Sequence, residues 1–215
     1  MKLRIDLKIF IFLILFYFTK QIEIYGFIMF FCIIHELGHI FAGILLKMKP
    51  QSVELMPWGL SVQFKLFPKD YNEKVLKSNK LELKKLLIAM AGPIVNCILI
   101  ILFINIKIKY QDIIVYSNMI ILIFNLIPIY PLDGGRILKS IFKITKGNVK
   151  AEKISNVINN SLIIILTFLL GFTIYIFKNI SIIIILIYLW YLVIKENNKY
   201  KIKLRIYKVI LQNKE

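Results

Sequence analysis

Histidine and cysteine are scarce in this chain of 215 residues, which has two of each. Cys32 and Cys97 both lie in apolar runs, so no disulfide framework is implied. Two histidines and the absence of repeated halves argue against a zinc transporter, which needs several intramembrane ligands along a path. Acidic residues are few, 12 against 29 basic ones, for a net charge of +17. On a soluble protein that excess would suggest nucleic acid. Here 59% of the residues are hydrophobic and the mean hydropathy is +0.74, so the chain reads as a polytopic membrane protein with no nucleic-acid partner.

Six apolar segments are candidate spans: Ile5–Thr19, Ile22–Leu46, Lys85–Ile106, Ile113–Tyr130, Ser161–Phe177 and Ile180–Ile194. The N-terminus has a signal-peptide-like charge pattern without a small-residue cleavage site, so the first segment is read as a retained helix. With six crossings and a cytoplasmic N-terminus, 25 basic residues fall on inner segments and 4 on outer ones. That bias favours both termini in the cytoplasm. Between spans two and three, Ser52–Phe67 alternates weakly around Pro57-Trp58-Gly59 and reads as a short hairpin. The expected fold is thus an all-α polytopic membrane protein of about six transmembrane helices with a short membrane-associated β-hairpin. Residues 1–195 form the membrane domain. Residues 196–215 form a basic cytoplasmic tail, either solvated or lying on anionic lipid.

Both histidines fall in one motif inside the second span, His35-Glu36-Leu37-Gly38-His39. Ionisable groups at membrane depth are costly and usually functional. Residues i and i+4 share a helix face, so His35 and His39 can grip one zinc ion. Glu36 beside them is placed to take a proton from water held there. The bland alternative is a pair of polar residues bonding to neighbouring helices. Hydrolytic zinc sites take three protein ligands, and no third histidine exists. Most acidic residues lie in charged loops. Asp133 instead follows the fourth span, where Pro128 and Pro131 break the helix and Gly134 and Gly135 free the backbone. It is a candidate third ligand, or else part of a turn at the membrane surface. Cys32 shares the histidine face and is a thiolate candidate or a small packing residue.

Taken together these residues resemble the site-2 protease family of intramembrane zinc metalloproteases. That family pairs H-E-x-x-H with a later N-x-x-P-x-x-x-x-D-G, matched here by Asn125, Pro128, Asp133 and Gly134. Its intervening G-P-x-x-N reads Gly92-Pro93-Ile94-Val95-Asn96. The resemblance implies one Zn2+ ion held by His35, His39 and Asp133, with Glu36 catalytic and Asn125, Pro128 and Gly59 on the substrate. The Leu-Ile-Pro-Ile-Tyr-Pro-Leu-Asp-Gly-Gly run and the Leu55-Met56-Pro57-Trp58-Gly59 loop look like the sporulation branch. Members of that branch release pro-sigma-K from its membrane-bound form. Lys47–Lys84 is too short for a PDZ domain, and no CBS domain fits after the last span.

By this resemblance the partners are a membrane-associated protein substrate such as pro-sigma-K, membrane inhibitors or regulators, the lipid bilayer and further copies of the chain. The location is the membrane around the forespore. Other readings are an anti-sigma factor or signal-peptide remnant as substrate, or a non-proteolytic zinc-binding membrane protein.

Overall fold

A computed structural model describes residues 2–5, 17–18, 22–56, 59–65, 75–177 and 180–212. The trace divides into two compact units, Met1–Leu126 and Ile127–Glu215, taken here in turn. The body of the expected first span and the Pro57-Trp58 turn lie outside the described residues.

The first unit runs β1 (Lys2–Ile5), α1 (Ile22–Leu45), β2 (Lys49–Met56), β3 (Gly59–Lys65), α2 (Val75–Ile104) and α3 (Gln111–Leu126). Along α1 the buried residues are Tyr25, Phe31, Cys32, His35, His39 and Gly43. Their spacing of mostly three and four makes one stripe on a helix. Phe30, Leu37, Phe41 and Ile44 lie exposed on the rest of α1, as apolar groups facing lipid would. The stripe packs on α2 and α3, where Phe31 and Cys32 join Ile114 and Ile121. At Gly38 the two longest helices of this unit nearly touch. A Cβ there would sit 2.8 Å from Val95 Cγ2 and 3.2 Å from the Ala91 carbonyl.

Helix α1 ends in a Schellman-type turn. Met48 N–H donates to the Gly43 carbonyl at 2.8 Å and Lys47 N–H to that of Ile44 at 2.9 Å. Lys47 takes the positive φ of 59° that glycine usually supplies there. The turn sends the chain into β2, which pairs antiparallel with β3 from Met56↔Gly59 to Lys49↔Lys65, with an irregularity between Pro50 and Ser52. β1 adds in parallel on the far side of β2, so the sheet order is β1-β2-β3 and β3 is an edge. Phe64 of β3 packs against Met48, Leu81 and Ile88, tying the hairpin to α2.

The second unit holds α4 (Asp133–Lys146), α5 (Asn148–Phe177) and α6 (Ile180–Gln212). Its core is closely packed: Ala151, Ile163, Leu189 and Val193 are all but inaccessible. Polar groups stitch α5 to α6. Asn156, Asn197 and Asn160 donate amide hydrogens to one another in a closed ring of 2.6, 2.8 and 3.4 Å. Lys139 of α4 is buried, with Glu152 of α5 at 3.0 Å and Glu196 of α6 at 3.1 Å. Its ammonium also stands 4.1 Å from the Tyr130 ring centroid. Burial alone would lower the Lys139 pKa, but the two carboxylates overcome it and hold the group above the ordinary lysine value.

Among the described residues, three helical stretches are long and apolar enough to cross a membrane: Ile22–Leu45, Asn79–Ile104 and Asn148–Ile176. They mark a membrane protein. Helix α3 is shorter, at 16 residues. Several boundaries differ from the sequence reading, among them two beyond Asn125. The break expected around Asp133 is a short turn over 127–132, and Asp133 itself opens α4. Helix α6 passes through the expected domain boundary at 195 without interruption and runs on to Gln212.

Candidate metal centre

The apolar stripe of α1 is interrupted by two imidazoles, each only 3% exposed. Being four residues apart, they stack on successive turns, with ring planes at 85° and centroids 4.8 Å apart. Their Nε2 atoms are 3.1 Å apart. A tetrahedral zinc with Zn–N of about 2.0–2.1 Å places its nitrogens roughly 3.3–3.4 Å apart, close to this separation.

Each ring is held at its other nitrogen. His39 Nδ1 lies 2.6 Å from the Ile88 carbonyl and 3.3 Å from the Gly92 amide nitrogen. A carbonyl only accepts, so the shorter contact makes Nδ1 the protonated nitrogen and leaves the lone pair on Nε2. His35 Nδ1 is hydrogen-bonded to Asn96 Oδ1, which again leaves Nε2 as the lone-pair atom. Both lone pairs are therefore directed to the same side of α1. Pro93 helps explain how α2 presents these groups. Proline inside a helix lacks an N–H and crowds the carbonyl four residues back. That carbonyl belongs to Ala89, between the Ile88 and Gly92 backbone groups that meet His39.

Gly92 keeps the space before the lone pairs clear. A Cβ at this position would be 2.6 Å from His35 Nε2 and closer still to His39 Nε2. The donor set, the tautomers and this open space fit a zinc ion on His35 and His39. Glu36, partly buried, follows His35 by one residue and so projects about 100° round the helix from it.

The other sequence candidates are placed as follows. Asp133 is buried as the first residue of α4, in the second unit, with Arg136 one turn on at 3.6 Å. A carboxylate suits the positive end of a helix dipole. Pro128 is partly buried in the turn before it. Asn125 sits in the last turn of α3 and donates its amide hydrogen to the Ile121 carbonyl at 3.0 Å. Gly59 opens β3 opposite Met56. Cys32 is buried against Phe31, Ile114 and Ile121, the packing alternative of its two readings. Sequence reasoning gave Gly92-Pro93 only as part of the G-P-x-x-N motif, with no role of its own, and did not single out Asn118. The available signal for Asn118 was its position seven residues before Asn125, an amide on the same face of an apolar helix.

The sequence pattern of peptidase family M50 matches residues 106–169. A zinc metalloprotease of Methanocaldococcus jannaschii is 31% identical over 143 residues, covering 62% of this chain and 38% of that protein. Stage IV sporulation protein FB of Bacillus subtilis is 28% identical over 116 residues, covering 51% of this chain and 37% of that protein. The chain thus spans less than two fifths of the length of these curated relatives. The solved structure of a site-2 protease from Methanocaldococcus jannaschii superposes with a TM-score of 0.63 at 24% identity, over 90% of this chain and 89% of that one, and so shares the fold. With its H-E-x-x-H pair fit for a metal, the chain is thus similar to peptidase family M50 over residues 106–169, to two curated relatives over part of their length, and to a site-2 protease in fold.

Proposed function

We propose that this chain is an intramembrane zinc metalloprotease that cuts a membrane-associated protein near the cytoplasmic face. The observation that carries the reading is the pair of buried Nε2 lone pairs on α1, 3.1 Å apart over a glycine. By the resemblance, His35, His39 and Asp133 would hold the ion. Support for Asp133 comes from its place in the D-G end of the second motif and its burial at a helix N-terminus. Zinc in such a site polarises a carbonyl and makes water acidic enough to attack at neutral pH. Glu36 accepts the water proton on its carboxylate and returns it to the leaving amine nitrogen. With the Nδ1 protons donated to Asn96 and Ile88, Nε2 is the atom that each histidine would turn to the ion.

A helical substrate hides its peptide carbonyls, so it must unwind before it is cut. Asn125, Pro128 and Gly59 serve the unwound segment. Asn125 hydrogen-bonds its backbone, and β3, an edge strand among the described residues, accepts it as an added strand. Crosslinkers placed along Gly59–Lys65 should capture substrate; a scan without adducts there would remove the strand-addition step.

The substrate class follows from the sporulation relative and from the Pro-Leu-Asp-Gly-Gly signature, which support pro-sigma-K as substrate and the forespore-surrounding membrane as location. The basic excess on inner segments supports cytoplasmic termini. The test is co-expression with tagged pro-sigma-K, wild type beside Glu36→Gln, with zinc measured in both purified proteins. Wild type should convert the substrate. The variant should hold one zinc per chain and convert none. Equal cleavage by the variant would refute the assigned base, and metal-free wild type would refute the zinc centre.

A further inference from the structure

His39 has its tautomer set by a backbone carbonyl directly; His35 has it set at a distance. His35 Nδ1 bonds Asn96 Oδ1. Asn96 Nδ2 donates to Asn118 Oδ1 at 2.8 Å, and Asn118 Nδ2 donates to the Ile114 carbonyl at 2.9 Å. Both amides are 0% exposed, so no bulk water competes for them. An amide can in general be turned end for end, which would reverse every donor and acceptor. Here the far end forbids it. The Ile114 carbonyl can only accept, so Asn118 must present its NH2 there and its oxygen to Asn96. Asn96 must then present its NH2 to Asn118 and its oxygen to His35. His35 must carry its proton on Nδ1.

We infer that Asn118 is a positioning residue for the metal ligand His35, fixing through Asn96 which ring nitrogen faces the ion. Asn118 lies outside all three family-like motifs and touches neither the ion's ligand nitrogens nor Glu36. Its role is to transmit the polarity of a helix carbonyl across two side chains. Without it, Asn96 is free to turn its NH2 toward His35 Nδ1. The ring then places its proton on Nε2, the atom that must ligate. Loss of such an outer partner typically costs 10–100-fold in metal affinity. The affinity consequence rests on the zinc reading above; the tautomer does not.

The experiment uses the metal-free full-length protein with 15N-labelled histidine. Only two imidazoles are present, so their nitrogen resonances are read without overlap. Wild type should show both rings as Nδ1–H tautomers. Asn118→Leu should move one ring to Nε2–H or to a mixture, and should weaken zinc by about 10–100-fold in chelator competition. Asn118→Asp should restore both readings, since a protonated carboxyl in this buried place supplies the same oxygen acceptor and a hydrogen donor. A wild-type spectrum with the His35 ring as Nε2–H overturns the inference even if Asn118→Leu fails to fold. So does Asn118→Leu with unchanged tautomers and zinc affinity. Wild type that shows both Nδ1–H rings and binds no zinc refutes the metal reading while leaving the relay in place.

Discussion

At the scale of single residues the centre depends on what is missing as much as on what is there. Gly92 contributes an absence: a Cβ there would lie within 2.6 Å of both Nε2 atoms. Substituting alanine puts a methyl group where an ion would sit. Gly92→Ala should therefore lose most of its zinc while keeping its helices, since alanine is the better helix former by about 1 kcal/mol. Metal content against far-UV circular dichroism checks this, and full zinc occupancy in the variant would show that the rings sit elsewhere. The two histidines were legible from sequence because the spacing of four and the apolar setting leave few other uses for them. Asn96 was legible only as part of a motif, and Asn118 not at all. An asparagine in an apolar helix has the same appearance in sequence whether it glues helices or orients a ligand. Only the direction of its hydrogen bonds separates the two.

At the scale of elements, α4, α5 and α6 converge on one buried ammonium. Lys139 is neutralised by Glu152 and Glu196, and Lys203 adds a further bond to Glu152 at 2.9 Å. Such clusters are weak as net sources of stability but severe when broken. Lys139→Met leaves two buried carboxylates without their shared partner and should cost about 3–5 kcal/mol. Combining it with Glu152→Leu and Glu196→Leu should recover most of that loss. Thermal unfolding in detergent compares the three proteins. A single variant as stable as wild type would mean that water reaches the carboxylates. None of this cluster was visible beforehand, because its members are 13 and 44 positions apart and were read as inner-loop and tail charges. The same holds for β1. Its parallel pairing with β2 joins Lys2 to Ser52 across some fifty residues, and parallel pairing needs no local turn signal.

At the scale of the whole molecule, hydropathy located the apolar helices and set most of their bounds. It misplaced ends wherever a helix leaves the apolar zone. Helix α5 begins at Asn148, thirteen residues before the expected start, and α6 continues eighteen residues past Ile194. Charged residues in those extensions look like loop or tail when hydrophobicity alone is scored, yet they continue the same backbone hydrogen bonding. The C-terminal region is therefore not an appendage. Glu196 and Lys203 both lie beyond the last apolar residue of that stretch, and both reach back to the buried cluster. A chain shortened at the edge of the hydrophobic stretch would strip a carboxylate from Lys139 and strand its charge in the interior. An affinity handle belongs after Gln212, and a protease that nicks near 195 would act as an off switch rather than as a trim.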